Sequence, residues 1–110
     1  MAYDEELAFR IRALLAAECG VDEVPMFGGL AFLINGNMAI AVSGKGGVMV
    51  RVPPEQTSTL LEYPHTAPMY MSSRETLGWL RVFDEGVATD RQLSRWVTIG
   101  SDYARKLPPK

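Results

Sequence analysis

The chain has 110 residues, 47% of them apolar and 22% charged, which is the make-up of one folded domain spanning 1–110 rather than of a disordered segment. A formal net charge of −2 gives no support to a surface built to grip a phosphate backbone, and no apolar run approaches the roughly 20 residues that span a bilayer. A single cysteine, Cys19, allows no intrachain disulfide, and the acidic opening Met1-Ala2-Tyr3-Asp4-Glu5-Glu6 lacks the basic region of a signal peptide, so a cytoplasmic location is expected.

In chain order, Asp4–Glu18 reads as a helix. Leu7, Ile11, Leu14 and Leu15 form its apolar stripe, Arg10 and Arg12 face water, and Cys19-Gly20 stops it. The period then changes. Phe27–Ile34 is apolar on both faces and suits a strand covered on both sides, or one near a partner. Asn35-Gly36 favours a tight hairpin into Met38–Ser43, and Gly44-Lys45-Gly46-Gly47 turns into Val48–Val52. In that third strand the valines share one face, and Met49 and Arg51 the other. Pro53-Pro54-Glu55 opens a short helix anchored by Leu60 and Leu61. His65–Pro68 reads as a loop, Met69–Met71 as a fourth strand and Ser72–Glu75 as a turn. Leu77–Phe83 is the fifth strand, with Trp79, Arg81 and Phe83 opposite Leu80 and Val82.

Thr89-Asp90-Arg91-Gln92 fits a capping box. From there Leu93, Trp96, Val97, Gly100, Tyr103, Ala104 and Leu107 keep a helical period until Pro108-Pro109. The expected fold is therefore α+β: a two-layer, five-stranded antiparallel sheet with helices packed on it, in the order α-β-β-β-α-β-β-α.

Catalytic chemistry finds few residues to use. Nucleophilic catalysis of the Ser-His-Asp kind needs a basic imidazole, and the one histidine, His65, sits in a proline-flanked loop where a solvated role is the simpler reading. Cys19 reads as a buried or half-buried structural thiol. One His and one Cys far apart do not make a zinc site. Met26, Met38, Met49, Met69 and Met71 lie in or beside strands and suit core and sheet filling better than soft-metal binding. Ser43–Val48 lacks the Gly-Lys-Ser/Thr and the following helix of a phosphate loop, so its glycines serve a turn. Asp84-Glu85 read as exposed turn acids. No catalytic residue, cofactor or metal is expected. Lys45, Arg51, Arg74, Trp79 and Arg81 stand out as a candidate interaction surface, because arginine alternating with aromatic residues suits recognition; the alternative is arginine covering apolar area on an amphipathic strand.

The stretch Met26-Phe27-Gly28-Gly29-Leu30-Ala31-Phe32-Leu33-Ile34-Asn35-Gly36-Asn37-Met38 resembles the most recognisable motif of the N-terminal domain of the TfoX/Sxy competence-regulator family. The opening through Leu7, Met49–Val52, Gly78-Trp79, Leu93 with Trp96, and Leu107–Lys110 are similar to that family as well, in the same order. The resemblance implies a secretion-chaperone-like α+β fold and a link to regulators of competence genes that act with a transcription factor. It supplies no catalytic residues. Full-length regulators of the family carry a second, C-terminal domain, and this sequence ends at Lys110, so that domain's role does not carry over.

Three functions follow in order of expectation. The first is a non-enzymatic regulatory module acting through a protein partner, such as a transcription factor. The second is direct nucleic-acid binding through Lys45, Arg51, Arg74 and Arg81, which the acidic balance disfavours. The third is a small-molecule or enzymatic role in a pocket between sheet and helices. No membrane partner is expected. A homodimer is a further expectation, through the two-sided strand Phe27–Ile34 or a sheet edge.

Overall fold

The computed structural model describes residues 3–26, 28–71 and 74–109. Helix α1 (Glu5–Leu14) starts where the Asp4 carboxylate accepts the backbone N–H groups of Glu6 and Leu7 at 3.0 and 3.1 Å. Four strands follow: β1 (Val21–Met26), β2 (Gly29–Ile34), β3 (Asn37–Val42) and β4 (Val48–Arg51). After a single 3₁₀ turn at Pro54–Gln56 come the short helix α2 (Thr57–Leu60), strands β5 (Thr66–Met71) and β6 (Arg74–Val82), and helix α3 (Asp90–Lys106). The sheet is antiparallel throughout, in the order β1-β2-β3-β4-β6-β5.

The α+β class, the antiparallel sheet and the three helices match the sequence reading, but the sheet has six strands, not five, and the extra one comes first. β1 carries two acids and a proline, and its central residues are exposed, so it lacks the alternating apolar signal of a half-buried strand. It is an edge strand, where proline's missing N–H is tolerated. β2 is therefore interior, paired with β1 on one side and β3 on the other, and offers no free edge for self-association. Other limits move too. α1 stops at Leu14, and its buried stripe is Leu7, Ala8 and Ile11 continued by Leu15, while Leu14 points outward. Thr66–Pro68, expected in a loop, pair with β6. Arg74 and Glu75 belong to β6, and the expected turn residues Ser72 and Ser73 lie outside the described residues, as does Phe27.

The three helices and the sheet close one main core on one face. Leu30, Phe32, Ile40, Val42, Val48, Val50, Leu80 and Val82 from the strands meet Leu7 and Ile11 of α1, Leu60 of α2, and Leu93, Trp96 and Val97 of α3. The expected alternation in β4 and β6 holds: Val48, Val50, Leu80 and Val82 are buried, while Met49, Arg51, Trp79 and Arg81 are half-buried on the other face. The Asn35-Gly36 turn, with φ of 53° and 85°, joins β2 to β3 as expected. The capping box of α3 is formed on both sides: Gln92 N–H donates to Thr89 Oγ1 at 3.1 Å, and Thr89 N–H to Gln92 Oε1 at 3.0 Å. Gly100 lets α3 lie directly on β3, because a Cβ there would stand 2.4 Å from the Ala39 carbonyl oxygen.

Ala39 lies at the bulge where β3 shifts register against β2, so it packs with Ile34 and Ala104 on the helix side. Arg10 does not simply face water. Its guanidinium donates to the carbonyls of Val87 and Ala88 and pairs with Asp90 at 3.2 Å, which ties α1 to the start of α3. Cys19 is exposed in the α1–β1 connection rather than buried. The described methionines Met26, Met38, Met49 and Met69 lie on strands and are half-buried, so they fill the sheet but not the core. Among the described residues, no helix is long and apolar enough to cross a membrane.

Candidate functional site

The residues singled out from the sequence separate into two places on the β4–β6 pair. Register puts Arg51 opposite Trp79 and Met49 opposite Arg81. At the Arg51 end, the guanidinium stands 5.7 Å from the Trp79 ring centroid and 5.8 Å from that of Tyr103 on α3. The cation is thus held between a sheet ring and a helix ring, at a separation where the ring quadrupole attracts it. Arg74 opens β6 opposite Met71, and its side chain lies outside the described residues.

At the other end, three separate segments converge. Lys45 rides on the β3–β4 turn, whose shape is held by Ser43 N–H donating to the Gly47 carbonyl at 3.0 Å. Lys45 N–H donates to Ser43 Oγ at 3.1 Å, and Gly47 N–H donates to Asp84 Oδ1 at 2.8 Å. Asp84 is thus more than an exposed turn acid: it joins the segment after β6 to the β3–β4 turn. His65 precedes β5 with a φ of 65°, and its carbonyl accepts the Phe83 N–H at 2.9 Å. The Arg81 guanidinium stands 5.8 Å from the Phe83 ring.

Together Lys45, Gly46, His65, Arg81, Phe83, Asp84 and Glu85 line an open cleft of about 310 Å³. Ion pairs form elsewhere, at Arg10–Asp90, Arg12–Glu23 and Arg105 with Glu18 and Asp102, and neither Lys45 nor Arg81 makes one among the described residues. One carboxylate of the cleft, Asp84, is already engaged by the turn amide. Two cations without acid partners beside an exposed phenyl ring can receive a carboxylate flanked by an apolar group. His65 and Phe83 complete this cleft. His65 gave no sign of it in the sequence, because only β5 pairing with β6 brings it against Phe83.

Ser43, at the start of the β3–β4 turn, is buried, and its hydroxyl oxygen accepts the Lys45 amide. Among the described residues, no group of three or more His, Cys, Asp or Glu side chains is placed to hold a metal ion. A second hollow, about 250 Å³, lies between the end of α1 and α3, walled by Leu15, Ser94, Val97 and Ser101, with Arg105 beside it paired to Glu18 at 2.5 Å.

With this geometry in place, the model of the TfoX N-terminal domain family matches residues 3–104, nearly the whole chain. No match is found among curated protein sequences or among solved structures.

Proposed function

The chain belongs to the TfoX N-terminal domain family, and from that premise we propose that it is a non-catalytic regulatory domain that acts by binding a protein partner at the Lys45–Arg81–Phe83 cleft. The observation that carries the reading is the meeting of two cations that make no ion pair among the described residues with an exposed aromatic ring at one end of the sheet, in a cleft that Asp84 and Glu85 also line. Such a patch selects an acidic segment bearing an apolar anchor, because charge steers the encounter and the ring supplies desolvated contact area. The partner on this reading is a transcription factor or a similar regulator. The acidic overall balance argues against duplex DNA as the direct ligand, since phosphate-driven binding needs a cationic surplus.

The test is affinity capture from the native host at physiological salt, with the wild-type chain beside Arg81→Glu and Lys45→Glu. A protein retained by the wild type and lost with both variants supports the reading. Retention of duplex DNA with a steep salt dependence, or a protein retained equally by all three, contradicts it.

A further inference from the structure

Away from the cleft, at the opposite end of the β4–β6 pair, the backbone is shaped to place one aromatic ring. Arg51 closes β4, and its cross-strand partner is Trp79. On its other side β6 carries extra residues: Pro68 pairs with Leu80 and Met69 with Thr76, so Leu77, Gly78 and Trp79 have no partner on β5. A bulge of this kind re-aims the side chains that it carries. Gly78 permits it with a φ of 91°, and its N–H donates to the buried Thr57 Oγ1 at 2.9 Å. That hydroxyl donates in turn to the Pro54 carbonyl at 2.9 Å, and Val52 N–H donates to the Gly78 carbonyl at 2.9 Å. Hydrogen bonds to α2 and to the residue after β4 therefore fix the bulge and, with it, Trp79.

The consequence falls on Arg51, which is half-buried. Trp79 and Tyr103 flank its guanidinium at 5.7 and 5.8 Å, and so order a long side chain that is otherwise free to sample many rotamers. The rings attract the charge but accept no strong hydrogen bond. Arg10, Arg12 and Arg105 spend their N–H groups on carbonyls and carboxylates. Arg51 donates to no protein group and pairs with no acid among the described residues. An ordered guanidinium with its donors open is the complement of an oxyanion, which it grips with two parallel N–H···O bonds. One guanidinium balances one negative charge, so a carboxylate suits it better than a doubly charged phosphate. Leu77, 61% exposed in the same bulge, adds apolar area, and Arg with Trp and Tyr is the combination enriched where binding energy concentrates.

We propose that Arg51, flanked by Trp79 and Tyr103, is a binding site for a carboxylate carried on an apolar body, separate from the Lys45–Arg81–Phe83 cleft. The carboxylate takes the open N–H groups of Arg51, and the apolar body lies against Trp79 and Leu77. Two sources offer this chemistry: a free small acid, and the terminal carboxylate of a polypeptide that ends in an apolar side chain.

The test follows the arginine Nε–H and tryptophan indole N–H resonances of the full chain by NMR at neutral pH. The probes are 3-phenylpropionate and N-acetylated Gly-Gly-Leu, each beside its terminal amide. Saturable shifts of Arg51 and Trp79 are expected below about 10 mM, the range for so small a ligand. Each amide binds at least about tenfold more weakly, because it has no charge and one acceptor oxygen in place of two. Arg51→Lys keeps the charge, loses the fork and weakens 3-phenylpropionate about tenfold. Arg51→Gln abolishes its binding and serves should Arg51→Lys fail to fold. Arg81→Glu, in the cleft, leaves the shifts at Arg51 unchanged. Tighter binding of the peptide assigns the site to a chain terminus, and equal or tighter binding of 3-phenylpropionate assigns it to a free acid; both support the proposal. No saturable shift at Arg51 over that range, an amide that binds as tightly as its acid, or a folded Arg51→Lys or Arg51→Gln chain that binds as tightly as the wild type overturns it. Each of those results leaves the cleft reading standing, since its capture assay varies Lys45 and Arg81.

Discussion

Trp96 shows how one side chain holds two layers together. Its ring is 2% exposed, packs in the main core, and meets the Tyr63 ring edge-on at 5.6 Å between centroids and 77° between planes. Truncating a buried tryptophan removes its transfer free energy and leaves a cavity, a cost of about 3–5 kcal/mol. Trp96→Ala is therefore expected to lower the urea-unfolding free energy by about that amount, while exposed Arg91→Ala changes it by less than about 0.5 kcal/mol. A loss below about 1 kcal/mol for Trp96→Ala would contradict the placement of α3. Trp96 was legible in the sequence because it falls on a strict helical period behind a capping box. His65 was not, because its place beside Phe83 depends on the pairing of two strands and leaves no mark on its neighbours in the chain. Arg51 was legible as an aromatic neighbour of Trp79 but not as a partner of Tyr103, which lies on a helix some fifty residues later.

Among the elements, β1 is the one whose existence pattern reading overlooks and whose attachment is most open to test. It is an edge strand with exposed central residues, so it contributes little apolar burial, and its polar sequence matches neither period. A side-chain tie fastens it to α1: Arg12 donates to both Glu23 oxygens, each at 2.6 Å. Those hydrogen bonds hold the Glu23 carboxyl below the ordinary carboxylate range, against the smaller opposing push of burial. A depressed native value stabilises the fold above the unfolded carboxylate pKa of about 4.3, and the gain disappears as pH falls through the lowered native value. The pair is largely exposed, so the gain is small. Urea midpoints of wild type and Glu23→Gln are expected to differ by a constant amount above about pH 5 and to converge at lower pH. A difference that does not change with pH would mean that the tie does nothing electrostatically. β2, β3, β4, the latter part of β6 and α3 were legible for the opposite reason: buried apolar residues alternate along β4 and β6, and α3 carries caps and a continuous buried stripe, whereas Thr66–Pro68 of β5 and Arg74-Glu75 of β6 read as loop and turn.

At the scale of the molecule, one layer of helices on one side of the sheet divides the surface into distinct territories. The buried side supplies stability, and the sheet end at the β3–β4 turn holds the cleft. The α+β class and its antiparallel sheet could be read from hydrophobic periods alone. The cleft could not, because Lys45, His65 and Arg81 come from three segments that only the strand order β3-β4-β6-β5 draws together. Family membership covers residues 3–104 and so includes all three segments. The most direct measurement replaces Phe83 with a photo-crosslinking phenylalanine analogue in the native host and identifies the adducts by mass spectrometry. The account predicts a covalent adduct to one protein species that disappears when Arg81→Glu is added. An adduct to nucleic acid, or a protein adduct that Arg81→Glu leaves unchanged, would contradict it.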